Sequence, residues 1–180
     1  MNRGRRRRLA GAWPSAVMAH WLAKSEPSAY SWADLERDGS TDWSGVHNAL
    51  ALRHLKSMRP GDGLLFYHSG DERAVVGIAR VTSVPRPDPR DTRGSWTVDI
   101  RPVRALRVPI SLAELREDAG LGELALFRMS RLSVLPVSAE QWDRILRHEG
   151  APRPGPPGQG SARGSRSSHR VAAARKRGST

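Results

Sequence analysis

Residues 64–81 read Leu64-Leu65-Phe66-Tyr67-His68-Ser69-Gly70-Asp71-Glu72-Arg73-Ala74-Val75-Val76-Gly77-Ile78-Ala79-Arg80-Val81. Two apolar runs rich in aromatic and β-branched residues, 64–67 and 74–81, flank a polar loop, which is the pattern of a β-hairpin. The first run closes on Tyr67-His68-Ser69, so a phenol, an imidazole and a hydroxyl stand at a strand end. We place this hairpin at the centre of a small sheet.

Upstream, Pro60-Gly61-Asp62-Gly63 reads as a turn, because it is too short for a phosphate loop and lacks the following Lys-Ser/Thr pair. Before it, residues 49–58 carry apolar side chains at 49, 50, 52, 55 and 58, the spacing of one helical face. Trp43-Ser44-Gly45-Val46-His47-Asn48 reads as a loop, with a large ring beside a glycine and an amide. Ser31 is placed to cap a short helix with Asp34 completing a capping box. His20-Trp21-Leu22-Ala23-Lys24 reads as a strand that delivers Lys24 and Ser25 to its C-terminal edge before Pro27.

Downstream, residues 85–94 hold three prolines and several charges and read as an exposed loop. Residues 95–103 alternate as a long strand, with Trp96, Val98, Ile100 and Val103 as inward candidates. Ser111 with Glu114 opens another helix, a short strand is expected at 132–135, and Ser138 caps a last helix that carries Trp142, Ile145 and Leu146 on one face. Short strands interleaved with short helices predict an α+β fold on a curled, barrel-like sheet.

The chain of 180 residues suits one domain with tails. Its formal charge is +12, yet five Arg lie in residues 1–17 and six Arg with Lys176 lie in 151–180, without acids. Removing those twelve from thirty basic residues leaves eighteen against eighteen acids, so residues 18–150 are formally neutral. We expect residues 1–17 to be a basic extension, disordered or an over-extended gene start, and 151–180 to be a disordered basic Pro/Gly/Ser/Arg-rich tail. Such arms collect polyanions without regard to sequence. The apolar stretch after the N-terminal arginines is too short for an export signal and is broken by Pro14. With no cysteine, disulfides and thiolate metal sites are excluded. A cytoplasmic protein without metal or cofactor is the expectation.

Four motifs in order carry a family likeness: Trp21-Leu22-Ala23-Lys24-Ser25-Glu26-Pro27, Trp43-Ser44-Gly45-Val46-His47-Asn48, Gly61-Asp62 with Phe66-Tyr67-His68-Ser69, and Arg131-Leu132-Ser133-Val134-Leu135-Pro136-Val137 with Trp142. Together they resemble the EVE domain, of the PUA-like superfamily, over 18–150. The resemblance implies a PUA-like pseudobarrel of short strands flanked by helices, no catalysis, and a pocket for a modified nucleobase. It places Lys24 and Ser25 at the pocket rim, Trp43 as an aromatic wall and Asn48 on a base edge. Tyr67, His68 and Ser69 would close the far side, with Arg131 and Ser133 nearby. The family pattern carries an arginine where this chain has His47, so the phosphate-contacting part of the pattern is altered here.

A modified cytosine in DNA is the expected ligand, with modified or structured RNA as the alternative. An extruded base would stack on Trp43 and be read through polar edges. Asn48 could equally be a helix N-cap. Trp21, Trp96 and Trp142 read as core residues, and Trp32 fits either role. An enzyme using His68 with Asp62 or Asp71 is the less favoured reading, since no carboxylate cluster has metal-ligand spacing.

Overall fold

The computed structural model describes residues 18–150; the expectations for residues 1–17 and 151–180 lie outside the described residues. The central hairpin forms as read, from β3 (Gly63–His68) and β4 (Ala74–Val81) paired antiparallel. Around it run β1 (His20–Ser25), α1 (Trp32–Asp38), β2 (Thr41–Trp43), α2 (Ala49–Ser57), β5 (Arg86–Pro87) and β6 (Trp96–Ser111). The chain continues through α3 (Leu112–Glu117), a 3-10 turn (Ala119–Leu121), α4 (Ala125–Arg128), β7 (Val134–Val137) and α5 (Ala139–His148). The sheet order is β2-β6-β4-β3-β1-β7, with β5 paired to β6. Among the described residues only β1 and β3 pair in parallel. Parallel neighbours need a crossover, and α1, β2 and α2 supply it.

Curling comes from β6. Its pairing with β4 slips twice: Ala79 faces Pro102 while Ile78 faces Arg104, which makes Val103 the extra residue of a bulge. Val103, expected inward, is exposed, whereas Val98 and Ile100 are fully buried. The inward positions stay on even numbers and resume at Leu106 and Ile110, so Val103 lies off the alternation that Val98 and Ile100 set.

Three helix starts match their capping patterns. Ser31 with Asp34, Ser111 with Glu114 and Ser138 with Gln141 each form the reciprocal pair of side chain and backbone bonds. Two corrections concern the sheet. Trp43 ends a three-residue strand rather than lying in a loop, and β7 begins at Val134, two residues later than expected. The 3-10 turn and α4 were not anticipated.

The core centres on Phe66, which is fully buried and meets Trp32, Trp43 and His68 in edge contacts at 5.5, 5.7 and 5.7 Å. Trp32 therefore resolves as a core residue. Its ring lies on Gly77 of β4, where a Cβ would fall 2.5 Å from ring carbons, so only glycine admits this packing. No helix among the described residues is long and apolar enough to cross a membrane.

Asp62, read as part of a plain turn, organises the opposite end of the sheet. Its buried carboxylate accepts from the backbone N–H of Ala19 (3.1 Å) and Arg59 (2.9 Å) and from the Trp21 indole (2.9 Å). Removing a buried acceptor leaves its donors unsatisfied, each at about 1–3 kcal/mol. Asp62→Ala is therefore expected to lower unfolding free energy by about 3 kcal/mol or more in urea titration. A loss below about 1 kcal/mol would show that these bonds do not anchor the β1–β3 end.

Candidate functional site

At the C-terminal end of β1 the sheet opens into a cleft of about 440 Å³. Its walls are Lys24, Ser25, Glu26 and Tyr30 on one side, Thr41 to Val46 on another, and Arg90 and Ser133 at the margins. That volume is within the range of small-ligand sites. Two cations, Lys24 and Arg90, face two acids, Glu26 and Asp42, so the lining is polar and balanced in charge.

The rim is built by backbone tethers. The Lys24 N–H donates to the Ser133 carbonyl (2.8 Å), which draws the segment before β7 against β1. The Lys24 ammonium donates to the Ser130 carbonyl, and burial holds its pKa below the ordinary lysine value. Ser25 Oγ donates to the Tyr30 carbonyl (2.6 Å) and closes the loop into α1. Tyr30 in turn donates to Asp38 (3.1 Å).

Trp43 reaches the cleft from the end of β2 with only 8% of its surface accessible. Most of the ring braces Phe66 at an interplanar angle of 86° and a limited strip faces the opening. Gly45 follows with φ +71°, the left-handed backbone that lets the chain turn back beside the ring.

Of the nine residues predicted for the site, Lys24, Ser25, Trp43 and Ser133 line this cleft and the other five do not. Asn48 N-caps α2: its Oδ1 accepts from the N–H of Leu50 (2.9 Å) and Ala51 (3.2 Å). The capping alternative is the one realised, and only the amide nitrogen is left for another partner. Tyr67 is buried in the core, and burial raises its phenol pKa. Ser69 stands behind the rim, its N–H donating to the Ser25 carbonyl (2.8 Å) and its hydroxyl to Glu26 (3.0 Å). Arg131 is exposed beside Ser130.

His68 is a structural clamp. Its Nε2 accepts the Trp32 N–H (2.9 Å) at the start of α1, which puts the proton on Nδ1, donated to Glu72 (2.5 Å). Both ring nitrogens are thus engaged, and Asp62 is committed to its three donors. The partners of His68 are Trp32 and Glu72, and neither Asp62 nor Asp71, which the enzyme reading names, is among them. Among the described residues no group of three His, Cys, Asp or Glu is placed to hold a metal.

Within 85–94, expected as an exposed loop, Arg86–Pro87 form β5 and most of the rest is exposed, while Arg90 reaches back to the cleft. Arg90 pairs with Asp42 and its Nε lies 3.3 Å from Asp88. Arg93 Nη2 approaches His47 Nε2 at 2.6 Å. On the other side, His47 Nδ1 lies 3.3 Å from Asp91 Oδ2, out of line for a hydrogen bond. Sequence reasoning missed Tyr30, Asp42 and Arg90. The alternation of acid and arginine at 86–91 was the only signal, and it carries no partner information.

The α1 start that frames the cleft depends on Asp34. Its carboxyl is held down to about 2 by the Ser31 N–H, then by the Ser31 hydroxyl and Arg37. A depressed carboxyl contributes stability above its ordinary value of 3.8 and loses it as pH falls through about 2. The capping box should therefore persist to lower pH than a free aspartate would allow. An NMR titration of the Asp34 carboxyl is expected to give a midpoint near 2. A midpoint near 3.8 would contradict the box.

Comparison with known proteins bears on the family and the fold. The family model described as the EVE domain matches residues 19–148. Human thymocyte nuclear protein 1 is 29% identical over 165 residues, covering 72% of this chain and 73% of the human protein. A solved structure of a protein from Rhodopseudomonas palustris is 40% identical with a TM-score of 0.70, covering 74% of this chain and 94% of that one. Human THYN1, solved in complex with DNA containing 5-methylcytosine, is 28% identical with a TM-score of 0.68, covering 75% and 99%.

Proposed function

The chain belongs to the EVE domain family, and from that premise we propose that residues 18–150 form a non-catalytic module that binds nucleic acid and admits a modified base to the Lys24–Trp43–Ser133 cleft. The α+β fold is the PUA-like pseudobarrel. The observation that carries the reading is a similar fold seen holding 5-methylcytosine DNA in human THYN1, together with a polar cleft here at the end of β1.

The chemistry of the lining supports cytosine in DNA. A base leaves the stack to be inspected on all sides, and an enclosed polar cleft beside an aromatic wall receives it. Cytosine offers an exocyclic amine that carboxylates accept, and Glu26 and Asp42 supply them. Its acceptor edge meets donors in Lys24 and Ser133. The exposed strip of Trp43 contributes stacking, which is worth about 1–3 kcal/mol per base. The basic segments 1–17 and 151–180 add affinity for any phosphate backbone. His68, Tyr67 and Ser69 act from behind the cleft by holding α1 and the rim in place.

Trp43→Leu tests the wall while keeping an apolar side chain in the core. With duplexes carrying 5-methylcytosine or cytosine at one position, and the matching RNA, the wild type should bind the methylated DNA best. The variant should lose about tenfold or more on the methylated duplex, the lower to middle range of a stacking contact, and keep its background binding. An unchanged ratio of methylated to unmethylated affinity would remove the base from this cleft. A preference for RNA would transfer the proposal to the RNA reading.

A further inference from the structure

We infer that Arg80 and Arg101, on the outer face at the far end of the sheet, form a second contact for the phosphate backbone of nucleic acid. The proposal rests on the reading of the chain as a nucleic-acid binder and concerns a surface separate from the base cleft.

Arg80 of β4 and Arg101 of β6 are directly opposite in the antiparallel register. Directly opposite residues share a face, and like charges in that position destabilise the pair. Neither guanidinium has a hydrogen bond or ion pair among the described residues. Two other strand arginines are treated differently, while Arg107 gives only its backbone N–H to Glu149 (2.7 Å). Arg86 is held by both Asp99 oxygens (3.1 and 2.6 Å), and Arg104, two strand positions from Arg101 beyond the bulge residue, by both Glu149 oxygens (2.8 Å each). Two adjacent guanidinium groups left without a carboxylate are a device for an outside anion.

The surface around them is concave. Arg80 and Arg101 line a cleft of about 490 Å³ with Thr82, Val103, Pro60 and Gly61. Arg80, Thr82, Arg101 and Val103 are all exposed, in keeping with a shared outer face, and the Val103 bulge broadens that face. A phosphodiester fits this chemistry, since guanidinium groups offer paired donors to phosphate oxygens. The apolar neighbours tolerate the sugar.

Position separates this contact from the base cleft. Arg80 is level with Gly63, and Gly63 with His20, so Lys24 is four residues further along the sheet. That is about 13 Å along the strands and, two strands over, about 10 Å across. A nucleic acid seated in the Lys24 cleft would therefore meet Arg80 and Arg101 through flanking backbone, without reading a base there.

The test is the salt dependence of binding to an unmodified duplex, measured on the full chain. Each phosphate neutralised contributes about 0.9 to the slope of log affinity against log salt. Arg80→Gln with Arg101→Gln should lower that slope by about 1.8 and leave the ratio of methylated to unmethylated affinity unchanged. Arg80→Lys with Arg101→Lys should keep most of the slope, and Arg104→Gln, already neutralised by Glu149, should not move it. An unchanged slope in the double glutamine variant overturns the proposal, as does an equal fall in Arg104→Gln. Loss of methyl discrimination in Trp43→Leu with no slope change at Arg80 and Arg101 would leave the base cleft standing and this contact refuted.

Discussion

Three aromatic rings meet the Phe66 side chain edge-on, and the cleft exists because they do. Trp32 brings the start of α1 to the sheet, Trp43 brings the end of β2, and His68 lies two residues on along the same strand. Edge contacts of this kind add about 0.5–1.5 kcal/mol each to the area they bury and fix orientation as well as distance. Because α1 and β2 are both anchored on one ring, the loops that leave them, 25–31 and 43–48, are held apart at a set spacing. The space between those loops is the cleft.

This arrangement divides labour between front and back. Lys24, Ser25 and Ser133 present polar groups to the opening while their backbones carry the β1–β7 junction. Behind them, His68, Ser69 and Asp34 satisfy the rim's own donors and acceptors. A site so supported gives up little freedom when a ligand arrives, and preorganisation of that sort favours binding over motion. Trp43 belongs to both layers. It is largely buried against Phe66, so the residue proposed to meet a base is also part of the core.

Much of the fold was legible in the sequence because its signals are local. The hairpin at 64–81, the caps at Ser31, Ser111 and Ser138, and the helix on 49–58 each depend on a few neighbouring residues. What failed depends on partners distant in the chain. The three residues of β2 have no period to read and become a strand only by pairing with β6. Val103 lies off the even-numbered alternation of Val98 and Ile100, and the bulge it forms is set by the β4 register. Arg90 looks like any loop cation until it meets Asp42, 48 positions earlier. The site was legible in part for the same reason. Lys24, Ser25 and Trp43 stand at strand ends, where sequence tells which residues emerge. The roles of Asn48 and His68 depended on which backbone N–H they would reach.

The central claim is that the base enters beside Trp43, and indole NMR addresses it most directly. Six tryptophans give distinct indole N–H probes, of which Trp21 is locked to Asp62 and Trp32 is sealed in the core. On titration with an oligonucleotide carrying 5-methylcytosine, the Trp43 indole resonance should shift most, together with the backbone amides of Lys24, Ser25 and Ser133. A still Trp43 resonance, with shifts gathered instead around another face of the sheet, would contradict the account.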